Sequence, residues 1–211
     1  MKIVSTNIAK PVTIRWKDED QITGIYKTPL SEGIYLSPEG VRGDTIKNSR
    51  VHRDSLKAAY LFSEDWYAYW KALYPALNWE LGMFGENLTV KGLDETELMM
   101  GSLYRIGEAV VRITTPREPC FKLGLRFEDQ GIIEAFIKHG HPGSYVSVLE
   151  SGYVRKGDSL ELLESKEGSL SISDFYRLWF SPEKNPEHIQ VALKLPFIPE
   201  TKQKQLQRWV S

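Results

Sequence analysis

The sequence predicts a β-rich domain, a barrel or a sandwich, followed by a small all-α module. Three observations carry this. Short β-branched segments, broken by Gly, Pro and Asp turns, fill residues 1–164. Two helical patterns are embedded among them. From residue 165 to 211, beginning at the polar, Gly-containing SKEGSL, the pattern becomes helices only.

The strands open with KIVSTNI, VTIRW and ITGIYKT, each alternating and β-branched. Ser63 can cap a helix whose first turn carries Glu64 and Asp65. Its apolar stripe is Trp66, Tyr69, Trp70 and Leu73, and Pro75 stops it. GMFGENLTVKGL leads into a short strand, NLTV, and read alone is a hairpin loop. SLYRIGEAVVRITT predicts a hairpin turning at Gly107-Glu108. A second helix runs through GIIEAFIKH and ends at Gly140. SYVSVLESGYVRKGDSLELLE supplies two or three closing strands. In the tail, Ser171 and Asp174 form a capping pair. Asn185-Pro186 reads as an N-cap followed by proline at the first helical position. A last helix carries Leu206, Trp209 and Val210.

Composition narrows the function. A formal net charge of −1 argues against a protein that grips nucleic acid electrostatically. The tail mixes charge signs, which also disfavours a DNA-binding helix-turn-helix. No apolar run approaches the roughly 20 residues needed to span a bilayer, and MKIVSTNIAK lacks a signal-peptide core. A cytoplasmic protein with no membrane partner is expected. The single cysteine excludes an intramolecular disulfide.

That cysteine, Cys120, sits in TTPREPCFKLG between Arg117 and Lys122, on a segment stiffened by Pro116 and Pro119. The thiolate is the reactive and metal-binding form of cysteine, and neighbouring cations stabilise it. The plain alternative is a buried cysteine packed as a small hydrophobe. His139 and His141 form an H-x-H at a helix end, where His139 is expected to neutralise the helix C-terminus. With no second cysteine at ligand spacing, zinc is disfavoured. His52 and Lys57 lie in a polar stretch leading into an apolar strand.

Five segments together resemble the MOSC-domain family, named for the C-terminal domain of molybdenum cofactor sulfurases, and within it a stand-alone bacterial, YiiM-like branch. In order they are EGVRGDTI, VHRDSLKAAYLF, GMFGENLTVKGL, TTPREPCFKLG and PGSYVSVLESGYVRKGD. The third and fourth match G-x-F-G-E-N-L-T and P-R-x-P-C-x-K-L closely. Two stretches depart from the family pattern. Relatives usually read H-G-G-x-D-K where this chain has His52-Arg53-Asp54-Ser55-Leu56-Lys57, and an arginine where it has Ser147.

The resemblance implies a barrel-like domain. It implies a molybdenum cofactor (a metal-pterin group) with Cys120 as metal ligand and catalytic residue. Arg117, Lys122, Glu86, Asn87, Thr89, His52 and Lys57 would line the cofactor pocket. The implied reaction is two-electron reduction of N-hydroxylated compounds, such as N-hydroxylated purines or amidoximes. The chain has no haem, flavin or iron-sulfur signature, so an external electron-donor protein is expected beside the small-molecule substrate. A non-catalytic carrier of cofactor or persulfide sulfur is the alternative. A thiol hydrolase pairing Cys120 with His52 has no feature that positions the pair. The apolar faces of the tail are compatible with docking on the barrel, closing the pocket or forming a homodimer.

Overall fold

The computed structural model of the protein describes residues 1–45 and 55–210. Its strands, in chain order, are β1 (Lys2–Ile8), β2 (Val12–Trp16), β3 (Glu19–Thr23), β4 (Thr28–Pro29), β5 (Ile34–Ser37), β6 (Gly40–Val41), β7 (Ala59–Ser63), β8 (Leu88–Lys91), β9 (Leu103–Ile106), β10 (Ala109–Pro116), β11 (Ser144–Glu150), β12 (Gly152–Val154) and β13 (Leu160–Glu164). The helices are α1 (Tyr67–Leu73), α2 (Phe121–Arg126), α3 (Ile132–His139), α4 (Ile172–Phe180), α5 (Pro186–Leu193) and α6 (Glu200–Val210).

The main sheet has eight strands in the order β13-β9-β10-β11-β7-β8-β1-β4. All its pairings are antiparallel except β7 with β8. β7 and β10 are buried along nearly their whole length, as expected of strands covered on both faces. The Gly107-Glu108 hairpin forms as predicted, with Ala109 opposite Ile106 and Gly107 at φ +56°.

The expected barrel is not a closed one, because the strand ladder ends at β13 and β4. A lone bridge between Lys2 and Ser159 still ties β1 to the turn before β13, with the Leu160 amide donating to the Met1 carbonyl at 3.1 Å. The sheet therefore curls until β1, its second-to-last strand, meets the turn before β13. Two small sheets flank it, β12-β5-β6 and the separate β2-β3 hairpin.

The GMFGENL segment is not a hairpin loop. It feeds β8, which lies parallel to β7 and antiparallel to β1, so its neighbours in space come from distant sequence. The helix after Ser63 also differs in detail. It begins as a 3-10 turn, Glu64–Trp66, and Ser63 Oγ donates to Asp65 Oδ2 instead of capping an amide. Of the predicted stripe only Trp70 is fully buried, while Tyr69 and Leu73 are 45% and 52% exposed. Trp66 falls in the 3-10 turn and is partly buried, so the stripe does not run along one continuous α-helix. The helix ending at Gly140 is as predicted, with Gly140 left-handed at φ 78°.

Local signals also set the tail. Ser171 Oγ accepts the Asp174 amide at 3.0 Å, and Asn185 Oδ1 accepts the Glu187 amide at 2.9 Å. Phe175, Leu178, Ile189, Ala192 and Leu206 join the same apolar cluster as Ile106, Val111 and Ile113 of the sheet. Full burial of each large side chain contributes about 1.5–3 kcal/mol, so the three helices are held on the sheet by a shared core. A second, aromatic cluster gathers Tyr60, Phe62, Trp70, Phe84, Phe127 and Phe136. It supports α2, and α2 begins at the residue after Cys120.

Candidate functional site

Cys120 is exposed, at the N-cap of α2, in extended backbone with φ −137° and ψ 170°. The buried-cysteine alternative is therefore corrected. The short helix was absent from the sequence reading. Leu123 and Phe127 pin it into the aromatic cluster, and this fixes the direction of the thiol. Cys120 opens on a cavity of about 260 Å³ that Arg117, Lys122, Lys57, Asn87 and Gly85 also line.

Arg117 is the unusual member. Its side chain is almost wholly buried, at 7% exposure, yet among the described residues it makes no ion pair or hydrogen bond. Its guanidinium lies over the Tyr60 ring at 4.9 Å. Burial opposes its charge, but Tyr60, Tyr145, Cys120 and Glu86 more than offset this, and its pKa is raised. Lys57, exposed at the cavity wall, lies 5.2 Å from the Tyr145 ring centroid.

Gly85 makes room for Arg117. It sits at φ +75°, where a Cβ would lie 3.2 Å from Ile25 and 3.4 Å from an Arg117 nitrogen. Glu86 organises the same loop from behind. It is fully buried and does not line the cavity. Its Oε1 accepts the Gly82 amide at 2.9 Å, the Thr89 hydroxyl at 2.8 Å and the Tyr67 hydroxyl. Its Oε2 accepts the Phe84 amide at 3.1 Å. Burial raises its pKa, and these donors pull the other way. Thr89 is buried in this network.

Asn87 lines the cavity but is occupied by the framework. Its Oδ1 accepts the Tyr60 amide at 3.2 Å, and its Nδ2 donates to Asp44 Oδ2 at 2.8 Å. Sequence reasoning missed the group that completes this wall, the buried ion pair of Lys27 with Asp44. Burial lowers the Lys27 pKa, and Asp44 opposes that shift. A lysine in the otherwise β-type segment IYKTP was the available signal. The structure thus brings together Cys120, Arg117, Lys122, Lys57 and Asn87, and sets Glu86 and Thr89 behind them. His52, Arg53 and Asp54 lie outside the described residues. Ser147 is buried on β11, and its Oγ has no partner among the described residues.

The H-x-H pair is a separate feature. His141 Nδ1 lies 3.0 Å from buried Glu95, and its ring stacks on Trp66 at 3.8 Å. Burial, with His141 nearby, lowers the His139 pKa to about 4. His139 is thus uncharged at neutral pH and does not neutralise the helix end as expected.

An exposed thiol thus faces a cavity whose wall carries Arg117, Lys57 and Lys122, on a curled, β-rich frame. The MOSC-domain sequence pattern matches residues 48–161, and the chain belongs to the MOSC-domain family. It is 33% identical to YflK of Bacillus subtilis over 193 residues, which is 90% of this chain and 86% of that one. It is 31% identical to YiiM of Escherichia coli over 167 residues, 78% of this chain and 74% of that one. A Gibberella moniliformis protein named Reductase is 30% identical over 159 residues, 74% of this chain but 28% of the longer protein. The crystal structure of YiiM from Geobacillus stearothermophilus superposes with a TM-score of 0.80 at 27% identity, covering 100% of this chain and 99% of that one. Among the described residues, no helix is long and apolar enough to cross a membrane.

Proposed function

We propose that the protein binds a molybdenum cofactor through Cys120 and reduces N-hydroxylated small molecules. The observation that carries this reading is the exposed thiol beside Arg117, a buried guanidinium with no anionic partner among the described residues. A buried charge is costly unless it is paired, so Arg117 suits an anionic group such as the phosphate of a pterin cofactor. The thiolate is a soft donor suited to molybdenum. The residues present therefore fit the group.

Cys120 would hold the metal, held in place by α2. Arg117 and Lys57 would bind anionic oxygens, with Lys122 on the same wall. Asn87, Gly85 and the Lys27–Asp44 pair would fix the shape of the wall. When bound, the cofactor supplies the two-electron chemistry, and the protein supplies binding and orientation. The net change breaks the N–O bond. Two electrons from an external donor protein and two protons give the amine-type product and water. The reductase name of one relative supports this class of reaction. A cytoplasmic setting would keep the thiol reduced.

A carrier of cofactor or persulfide sulfur is the second reading, favoured by Ser147 standing where relatives have arginine. Turnover separates the two. Purified protein from a cofactor-competent host, given an N-hydroxylated base and a chemical or protein electron donor, should release the reduced base steadily, and Cys120→Ser should not. Stoichiometric cofactor without turnover would leave the carrier.

A further inference from the structure

We propose that Lys202, on the C-terminal helix α6, is a positioning residue that holds the Glu118 carboxylate out of the cavity and so keeps Arg117 and Lys57 open to an anionic ligand. This rests on the reading that the cavity takes an anion.

Glu118 lies between Arg117 and Cys120 in sequence, so a carboxylate is built into the strap that carries both. Left free, it could pair with the cavity cations, because a tethered carboxylate competes at a high effective concentration, whereas Asp44 of the wall is already paired with Lys27. The fold gives it another partner. Lys202 Nζ lies 2.6 Å from Glu118 Oε1, with the Lys202 side chain 19% exposed and that of Glu118 45% exposed. Lys202 also lies over the Trp179 ring of α4 at 3.7 Å, so its ammonium is held from two sides. The Lys57 charge reaches Lys202, and the charges of Glu118 and Arg117 both reach Tyr176 of α4. Arg117 is the residue before Glu118, yet Glu118 is absent from the cavity wall that Arg117, Lys57 and Cys120 form. The helical tail thereby acts on the site through one ion pair that closes 84 residues of chain.

The test is isothermal titration of the full chain, free of cofactor, with inorganic pyrophosphate. The native protein should bind. Lys202→Met should weaken binding about tenfold, the scale of one charge-assisted hydrogen bond lost to competition. Lys202→Arg should keep native affinity. Glu118→Gln alone should bind at least as tightly as native, and adding it to Lys202→Met should restore affinity to within about twofold of Glu118→Gln. A merely structural role for Lys202 would not be rescued by removing the charge of its partner. Native affinity in Lys202→Met, or no rescue in the double variant, overturns the inference while leaving the anion site intact. If Lys202→Met does not fold, weaker binding by Glu118→Gln overturns it. No binding by the native chain overturns the anion site and the inference with it.

Discussion

Replacing Glu86 tests whether the signature loop is organised by a buried carboxylate. Four donors converge on it: the Gly82 and Phe84 amides and the Thr89 and Tyr67 hydroxyls. In Glu86→Gln, Oε1 can keep three of them, and the new amide nitrogen faces the Phe84 N–H. One buried donor left without an acceptor costs about 1–3 kcal/mol. For a chain of this size that lowers Tm by roughly 2–4 °C per kcal/mol. Glu86→Ala strands the Phe84 amide and the Thr89 and Tyr67 hydroxyls, leaves the Gly82 amide only the Tyr67 oxygen at 3.0 Å, and should exceed the usual range for single substitutions, above about 4 kcal/mol. Burial raises the Glu86 pKa in the folded state. Its protonated form is therefore favoured by folding, and that contribution is full below the unfolded pKa and is lost as pH rises through the folded value. Glu86→Gln removes this dependence. Urea denaturation from pH 4 to 8 measures both effects. Stability of Glu86→Ala within 0.5 kcal/mol of native, on the roughly neutral scale of surface substitutions, would refute the framework role.

Other outcomes follow from the same geometry. Lys27→Met leaves Asp44 buried without its cation, and should cost about 3–5 kcal/mol in urea denaturation. His139 has a folded pKa of about 4, below its unfolded value, so its contribution is present above pH ~6.5 and is lost as pH falls toward 4. His139→Phe should flatten the stability profile in that window, as thermal melts would reveal. Arg117→Met removes a buried charge that has no ion-pair partner among the described residues. It should weaken pyrophosphate binding at least tenfold, since charge-assisted hydrogen bonds are worth about 1.5–3 kcal/mol; calorimetry reads the change.

What was legible in the sequence was local. The Gly107-Glu108 turn, the Ser171 and Asn185 caps and the Gly140 stop each depend on a few adjacent residues, and each forms where the sequence places it. Cys120 with its cations was legible for the same reason. The rest depends on distance in sequence. The stripe from Trp66 to Leu73 has helical spacing, but packing covers only part of it. Lys27 and Asp44 are 17 residues apart and Asn7 and Glu86 are 79 apart, and only the fold makes them neighbours. Glu86 and Thr89 carry the family signature, yet nothing in their spacing says that they face inward toward loop amides and not outward to a ligand.

Molybdenum per chain, measured by elemental analysis on protein co-produced with the cofactor pathway, bears most directly on the site. Native protein and Cys120→Ser are purified side by side. A cofactor held on this thiol gives near-stoichiometric metal in the native chain and a sharp fall in the variant. Metal absent from both, or retained equally by both, would contradict it.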